Sequence, residues 1–495
     1  MLLLGYDIGS SSIKASIIDA QSGETLGTAQ YPEVEMDMIA QQHGWAEQDP
    51  EMWWDYIKKA TQKLFASTGQ ATTDVKSIGI AYQMHGLVLV DENQNSLRPS
   101  IIWCDSRAVQ IGEKAFQEIG ESTCLRSLLN SPGNFTASKL AWVKENEPEI
   151  FSKIDKIMLP GDFIAMKLTG EIMTTPSGLS EGIFWDFQTN DISQPLLDYY
   201  GFDRSIFPKV VPTFSDQGAL RSDVCAELGF SAGTKVGYRA GDQPNNAFAL
   251  NALNPGEVAA TGGTSGVVYG VIDKLQFDPQ NRVNSFAHVN HSDMDSRIGV
   301  LLCINGTGCQ YSWVKNQLAQ QDQSYFDLEK HAAEVAIGSD GLTVLPFGNG
   351  AERMLGNKVI GSHINNLDFN RHSFAHLTRA TLEGIAFSFI YGMKVMSEMG
   401  LELEVIRAGN DNLFQSSIFG QTIAELSGAK IELIETTGAV AAARGAGVGT
   451  GIYASMTDAF SELKVTKIYE PNQGSNEGYA GAFDRWSHQL NLLNA

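Results

Sequence analysis

The chain has 495 residues, a hydrophobic fraction of 43% and a formal net charge of −22, which fits a globular protein with room for about two to four domains. The excess of 57 acidic over 35 basic residues argues against nucleic acid or an anionic membrane surface as a partner, because both would be repelled. The five cysteines include no Cys-x-x-Cys pair, so their spacing predicts neither a disulfide framework nor a zinc site. With no signal peptide and no window of membrane-spanning length, the sequence predicts a cytoplasmic protein.

The first feature is the stretch "LLLGYDIGSSSIKASIIDA". Leu2 to Tyr6 and Ile13 to Ile18 are predicted strands, joined by the hydroxyl-rich turn Gly9 to Ser12. A turn needs only one or two such residues. One hypothesis is a hairpin with a solvated tip. The other is a phosphate cradle, in which Asp7 faces Mg²⁺, turn amides and hydroxyls point at phosphate, and Lys14 either neutralises phosphate or faces solvent.

A helix is predicted from Pro50, and two apolar strands follow it, Ser77 to Ala81 and Leu87 to Val90. The polar motif "YQMHG" interrupts these strands. A lone histidine there is more often a core residue, but Gln83, Met84 and His85 also offer a polyol its donors, acceptors and apolar wall, and Gly86 permits close approach of a ligand.

The next stretch, "IIWCDSRA", contains Trp103, Asp105 and Arg107. Trp103 is either a core residue or the wall of a carbohydrate pocket. For Asp105 and Arg107, the alternative to a role in such a pocket is that they form only an ion pair.

A second acid of interest, Asp242, lies in "YRAGDQPNNAFAL", before a helix-like apolar run. An acid at this place commonly only stabilises the start of a helix. The functional alternative is a general base that takes the proton from an attacking hydroxyl. Asp242 precedes a second hydroxyl-rich hairpin, which is where a base beside a γ-phosphate is expected.

That second hairpin, Gly256 to Asp273, repeats the plan of the first, strand, "GGTSG", strand. Two such hairpins half a chain apart favour duplication of an α/β half over coincidence. The boundary is expected near residues 245–255. Further on, a long buried helix is predicted to end at Gly400, and "GAVAAARGAGVGTGIY" is predicted to be a small-residue helix packed closely against a neighbour.

Together these motifs resemble the FGGY carbohydrate kinases, most closely the xylulokinase branch, over nearly the whole chain. "HGWAEQDPEMWW" is similar to the N-terminal Gly-Trp-x-Glu-Gln-x-Pro signature, and "YQMHG" to the xylulokinase sugar motif. "AGDQPNNA" falls where the family carries its catalytic Asp. "GGTSG" resembles the second phosphate motif, "NGTGCQYSW" a segment along the nucleotide, and "LTRATLEGIAFSF" the C-terminal signature helix.

The resemblance implies an α/β fold with two ribonuclease-H-like, actin-like lobes around a central catalytic cleft. Residues 1–248 would form the N-terminal lobe, with the sugar site and the first phosphate hairpin. Residues 249–495 would form the C-terminal, nucleotide-binding lobe. The implied roles are a catalytic base at Asp242, a Mg²⁺ ligand at Asp7, sugar contacts at Met84, His85, Trp103, Asp242 and Gln243, and ATP contacts at Gly9, Ser10, Ser11, Lys14, Gly263, Thr264, Ser265, Gly308, Gly409 and Asn412.

The implied reaction is transfer of the γ-phosphate of ATP to a terminal hydroxyl of a ketopentose, with D-xylulose as the leading acceptor. L-Ribulose, L-fuculose, glycerol or another polyol are alternatives within the family, although "QMHG" differs from glycerol kinases. An actin-like ATPase or a sugar sensor is the alternative from another class. Two departures stand out: relatives often have Gly-Gly-Gly where this chain has only Gly409, and Gln243 and Pro244 follow the catalytic Asp. Dimers are common among relatives, so a homodimer is compatible with the resemblance.

Overall fold

A computed structural model gives the structure and describes residues 1–320, 322–472 and 476–494. The described chain divides into two compact units. Unit 1 contains Met1–Asn251, Phe286–Ile298 and Thr436–Leu463, and unit 2 contains the remaining described segments. The predicted domains 1–248 and 249–495 stay a prediction; the compact units differ from them because two later segments belong to unit 1. Across the described ranges, no helix is both long and apolar enough to cross a bilayer.

Strands and helices both occur throughout the described chain. The strands are β1 (Leu2–Ile8), β2 (Ile13–Asp19), β3 (Thr25–Tyr31), β4 (Glu47–Gln48), β5 (Val75–Tyr82), β6 (Val88–Val90), β7 (Ser100–Ile101), β8 (Lys156–Met158), β9 (Met173–Thr174), β10 (Trp185–Asp186), β11 (Asp191–Ile192), β12 (Lys209–Val210), β13 (Lys235–Gly241), β14 (Glu257–Gly262), β15 (Gly266–Ile272), β16 (Asn284–Ala287), β17 (Ile298–Ile304), β18 (Thr343–Phe347), β19 (Gly361–Asn365), β20 (Val405–Gly409), β21 (Lys430–Ile434) and β22 (Val465–Tyr469). The α-helices are α1 (Pro50–Thr68), α2 (Val109–Ile119), α3 (Glu121–Leu128), α4 (Thr136–Asn146), α5 (Pro148–Phe151), α6 (Pro160–Thr169), α7 (Pro176–Glu181), α8 (Gln194–Tyr200), α9 (Ser222–Leu228), α10 (Asp242–Ala249), α11 (Gly308–Leu318), α12 (Tyr325–Ala333), α13 (Phe374–Glu398), α14 (Ser417–Ser427), α15 (Gly438–Gly449), α16 (Met456–Ala459) and α17 (Asn476–Asn494).

The main sheet of unit 1 has the order β13-β5-β1-β2-β3. β1 pairs antiparallel with β2 and parallel with β5, and β5 pairs parallel with β13. Helix α1 starts where predicted, with Pro50 in its first turn and the Asp49 side chain accepting from the Glu51 amide at 3.0 Å. Its apolar residues Trp53, Ile57 and Leu64 are buried in the same core as the sheet. The carboxyl ends of the parallel strands β1, β5 and β13 therefore lie at one edge of the sheet, which is where ligands commonly bind in α/β folds.

The main sheet of unit 2 has the order β16-β17-β15-β14-β20-β21-β22. β14 and β15 form the predicted second hairpin, and β14 is parallel to β20, which is parallel to β21. In each unit, the first strand of the hairpin is therefore followed in the sheet by two strands parallel to it. These are β5 and β13 beside β1 in unit 1, and β20 and β21 beside β14 in unit 2. This shared topology confirms the predicted α/β class and the repeated plan.

The small-residue helix α15 packs on unit 1's sheet at backbone distance. A Cβ atom added to Gly5 would lie 1.8 Å from the Ala439 carbonyl oxygen, and one added to Gly79 would lie 1.8 Å from the Ala442 carbonyl oxygen. Because Gly5 and Gly79 are register partners on β1 and β5, they form a continuous smooth surface under the helix. Glycine inside a strand often marks such a close approach.

Candidate active site

The first hairpin places Asp7 near the end of β1, directly opposite Lys14 on β2. The turn between the strands is closed by a hydrogen bond from the Gly9 amide to the Ser12 carbonyl at 3.1 Å. Lys14 is exposed and Asp7 is half-buried. Burial raises the pKa of the Asp7 carboxylate above its ordinary value. The positive charge of Lys14 acts in the opposite direction and is the smaller effect.

A cavity of about 260 Å³ in unit 1 collects most of the residues predicted there for sugar, phosphate and metal. The residues that line it are Asp7, Gly9, Ser10, Ser11, Ser12, Lys14, Gln83, Trp103 and Asp242. Six of them belong to the first hairpin, and the other three come from the loop after β5, the loop after β7 and the start of α10, which are far apart in sequence. Their meeting in one cavity is the geometry that the predicted cradle requires.

Asp242 is the first residue of α10 and follows directly on β13. Burial of its carboxylate and the negative charge of Asp7 raise the pKa of Asp242 to about 7. A carboxylate with a pKa near the working pH is matched to general-base chemistry. Asp242 also lies in the first turn of α10, as the structural alternative requires, so its role as a base stays a prediction.

Trp103 is 53% exposed, so it is not a core residue. Its Nε1 faces the Ser10 hydroxyl at 3.4 Å. Asp105 and Arg107 form a buried ion pair with 2.7 Å between Asp105 Oδ2 and Arg107 Nη2, and the Arg107 guanidinium lies 3.7 Å from the centre of the Trp45 ring. Of the two explanations for Asp105 and Arg107, the ion pair is the one that the structure contains.

Among the described residues of the motif "YQMHG", Gln83 lines the cavity of unit 1, and Met84 and His85 do not. Gln243, which follows Asp242, is also not part of the cavity lining. Met84 is buried against Gly241, where an added Cβ would lie 2.6 Å from Met84 Cγ. His85 Nδ1 lies 2.9 Å from the Glu181 carbonyl oxygen. Since a carbonyl only accepts, Nδ1 carries the proton. The sugar contacts of Met84, His85 and Gln243 stay predictions.

Gln48 connects two parts of the cavity wall, the turn at Ser10 and the loop at Gln83. The motif "HGWAEQDPEMWW" did not predict this role. Its side chain is fully buried. Its Nε2 donates to the Ser10 carbonyl at 2.7 Å, and its Oε1 accepts from Gln83 Nε2 at 3.1 Å and from Trp53 Nε1 at 3.2 Å. One amide therefore connects the serine turn, the sugar motif and the helix α1.

Unit 2 has a larger cavity, of about 760 Å³, beside the second hairpin. Its wall includes Gly263, Thr264, Gly308 and Asn412 from the predicted ATP contacts, together with the aromatic side chains of Tyr311, Trp313, Tyr325 and Phe326. Ser265 and Gly409 are absent from the described lining. Aromatic rings can stack on a nucleobase, so the lining suits a nucleotide better than a sugar alone.

Gly308 is confined by the hairpin of unit 2. A Cβ on Gly308 would lie 2.2 Å from the Gly263 carbonyl oxygen, and the amides of Gly308 and Cys309 donate to the Gly263 and Thr264 carbonyls, both at 3.1 Å. The first amides of α11 therefore hold the hairpin. They are not open donors for phosphate, and the predicted contact of Gly308 with ATP stays a prediction.

A buried acid, Glu352, supports the loop before α11. Both of its carboxylate oxygens accept from the Asn305 amide, at 2.9 and 3.2 Å. Burial raises the pKa of Glu352 to about 7 from an ordinary value of 4.5. Between about pH 4.5 and pH 7, Glu352 is therefore protonated in the folded protein and ionised in the unfolded chain.

For Glu352 we expect the free energy of unfolding to fall as the pH rises from about 4.5 to about 7, because the folded state binds more protons in this window. Above about pH 7 this contribution is constant. Glu352→Gln removes it, so the wild type should lose more stability than the variant between pH 5 and pH 7.5. Thermal or denaturant unfolding of the two proteins at several pH values measures the difference. Parallel pH dependence of both proteins would contradict the assignment.

Mg²⁺ is the ion that the resemblance implies, and unit 1 offers oxygen ligands of the kind it prefers. Across the described ranges, no cluster of three or more His, Cys, Asp or Glu side chains could hold a metal ion by itself. Asp7 and Asp242 nevertheless bring two carboxylates near each other, and burial together with their mutual repulsion raises the pKa of Asp242. A magnesium ion commonly uses one or two carboxylates plus water and substrate phosphate. The residues therefore fit Mg²⁺ in the presence of ATP.

Comparisons with known proteins show the family and the fold of the chain. Residues 2–249 match the N-terminal domain of the FGGY family of carbohydrate kinases. The xylulose kinase of Staphylococcus epidermidis (strain ATCC 12228 / FDA PCI 1200) is 30% identical over 491 residues, covering 97% of this chain and 94% of the relative. The xylulose kinase of Escherichia coli (strain K12) is 28% identical over 446 residues, covering 90% and 88%.

Among solved structures, the crystal structure of a xyloylose kinase from Brucella ovis has a TM-score of 0.89 and 26% identity, and the match covers 100% of this chain and 99% of that one. The fold is thus the predicted one of the actin-like ATPases. Fold, cavities and matches together define an ATP-dependent carbohydrate kinase. The chain belongs to the FGGY family of carbohydrate kinases.

Proposed function

We propose that this kinase transfers the γ-phosphate of ATP to a terminal hydroxyl of D-xylulose and so forms D-xylulose 5-phosphate. The observation that carries the proposal is the cavity of unit 1, which places Asp242 and Asp7 together with the serine turn and Trp103. Support for the acceptor comes from the curated relatives, which are xylulose kinases at 25 to 30% identity.

Asp242 is proposed as the general base. Its carboxylate takes the proton of the terminal hydroxyl as the hydroxyl oxygen forms a bond to the γ-phosphorus. The bond between this phosphorus and the bridging oxygen breaks, and ADP leaves. In phosphoryl transfer such a carboxylate acts mainly by orienting the nucleophile. The raised pKa of Asp242 makes this carboxylate a stronger proton acceptor than an ordinary one.

The remaining residues of the unit 1 cavity have electrostatic and positioning roles in this proposal. Lys14 and the amides and hydroxyls of Ser10 and Ser11 would contact the transferred phosphate, and Gly9, whose amide closes the turn, would let the phosphate approach the backbone closely. Mg²⁺, when bound, neutralises phosphate charge, and Asp7 would hold it directly or through water. The exposed face of Trp103 would lie against the sugar. Gly263, Thr264, Ser265, Gly308, Gly409 and Asn412 remain the proposed ATP contacts of unit 2.

A panel of acceptors tests the proposal. Purified protein is supplied with ATP, Mg²⁺ and one acceptor at a time: D-xylulose, L-ribulose, L-fuculose and glycerol. We expect sugar-dependent ADP release with the highest kcat/KM for D-xylulose, and loss of the reaction when EDTA removes Mg²⁺. A higher kcat/KM for another member of the panel would make that compound the acceptor in place of D-xylulose. ADP release that no sugar stimulates would favour an ATPase or a sensor over a kinase.

A further inference from the structure

A buried lysine outside the cavity lining connects two of the turns that carry the proposed sugar contacts. Lys139 lies on α4 and its side chain is 0% exposed. Its Nζ donates to the His85 carbonyl at 2.7 Å and to the Ile102 carbonyl at 2.9 Å. These carbonyls belong to two different turns, which lie 54 and 37 residues before Lys139, so a single amine fixes the distance between the turns.

The first of these turns has a strained backbone. His85 has a φ of 63°, in the left-handed region that residues other than glycine seldom adopt. Such a conformation persists only where the surrounding structure holds it. The His85 ring is held by the Glu181 carbonyl and packs edge-on against Phe135 at 4.7 Å between ring centres. Lys139 holds the backbone carbonyl of the same residue.

The second turn presents Trp103. The Ile102 carbonyl that Lys139 binds is part of the peptide bond joining Ile102 to Trp103. The Ile102 amide donates to the Ala46 carbonyl at 3.1 Å. Both the amide and the carbonyl of Ile102 are therefore held by hydrogen bonds. The exposed indole of Trp103 therefore extends into the cavity from a fixed backbone.

We propose that Lys139 is a positioning residue for the sugar site, which sets the spacing between the His85 turn and the Trp103 turn and thereby the affinity for the acceptor. The inference rests on the proposed function, because it takes these two turns as parts of the sugar site. Lys139 itself does not contact the sugar, since its side chain is fully buried and is not part of the described cavity lining.

The environment of Lys139 supports positioning over proton transfer. Burial lowers the pKa of Lys139 to about 7, while the carboxylates of Asp105 and Glu181 favour the charged form and Arg107 opposes it. A lysine with this pKa could be a general base elsewhere. Here both carbonyl contacts need only N–H groups, which the ammonium and the neutral amine both have. The amine is thus occupied in either form.

The experiment compares Lys139→Met with Lys144→Met. Lys144 lies on the same helix and also donates to two backbone carbonyls, those of Tyr200 and Gly201, both at 2.6 Å, but it anchors no predicted sugar contact. We expect Lys139→Met to raise the KM for D-xylulose at least about tenfold, since small displacements in a site cost large factors. The KM for ATP should stay within about twofold, and Lys144→Met should change neither constant beyond about twofold.

The outcomes separate this inference from the proposed function. If the wild type phosphorylates no sugar, the proposed function is wrong. If the wild type phosphorylates D-xylulose and Lys139→Met leaves the sugar KM below a tenfold rise, or raises both KM values together, the inference is overturned. Circular dichroism and thermal melting establish that the variants are folded. If the Met variant is not folded, Lys139→Gln takes its place, and failure of both to fold would make Lys139 a stability residue and also overturn the inference.

Discussion

Asp242→Asn is expected to reduce kcat by about 10²- to 10⁴-fold, the usual contribution of a general base. The affinity for the sugar should remain within a few-fold of the wild type. Asparagine has nearly the same shape as aspartate and is also well tolerated at a helix start, so α10 should be retained. What the variant loses is the carboxylate that accepts the proton of the attacking hydroxyl.

Steady-state kinetics with D-xylulose, together with calorimetric titration of the sugar, measure both parts of this expectation. Asp223→Asn is the matched control. Asp223 also lies in the first turn of a unit 1 helix, but it is exposed and paired with Arg221 at 2.6 Å. The control should keep kcat within about twofold. A near-native kcat for Asp242→Asn would remove Asp242 from the base role and return it to a structural residue.

The hairpins of both units were predictable because their signal is local. An apolar run, a turn of small hydroxylated residues and a second apolar run define each hairpin. The predicted end of β1 at Tyr6 was too early, since Asp7 and Ile8 continue the pairing with Lys14 and Ile13. The ends of strands depend on pairing with a neighbour, which the sequence of one strand does not contain.

The polar residues of the candidate site were predictable for a similar reason. Asp7 and Asp242 interrupt or follow apolar runs and therefore stand out. Gln48 and Lys139 do not, because their roles arise from burial and from carbonyls that lie 37 to 54 residues away. A lysine on a helix normally suggests a solvent-facing position, and only the packing of α4 reveals that Lys139 is enclosed.

The small-residue helix was also predicted only in part. The composition of "GAVAAARGAGVGTGIY" indicates close packing but does not name the partner. The structure supplies it in Gly5 and Gly79 on the neighbouring strands β1 and β5. The N-terminus of the same helix reaches the candidate site, since a Cβ added to Gly438 would lie 2.6 Å from Asp7 Oδ2. Packing of α15 and the position of Asp7 are therefore linked.

Gly79→Ala is accordingly expected to be among the most damaging single substitutions in unit 1. The added Cβ would lie 1.8 Å from the Ala442 carbonyl oxygen, and backbone cannot move aside as a flexible side chain can. Overpacking of this kind typically costs about 1 to 3 kcal/mol, and we expect about 3 kcal/mol here because the obstacle is backbone. Displacement of α15 would also move Gly438 relative to Asp7, so activity should fall at temperatures where the variant is still folded.

Differential scanning calorimetry and kinetics at low temperature measure the two effects of Gly79→Ala separately. Gly481→Ala is the control: Gly481 lies within α17, and the nearest atom to an added Cβ is Arg485 Nη1 at 3.7 Å. Alanine is favoured over glycine in a helix by up to about 1 kcal/mol, so this variant should be as stable as the wild type or more stable. If Gly79→Ala were equally harmless, the backbone contact between α15 and β5 would have to be looser than the structure shows, and the link from this helix to Asp7 would be lost with it.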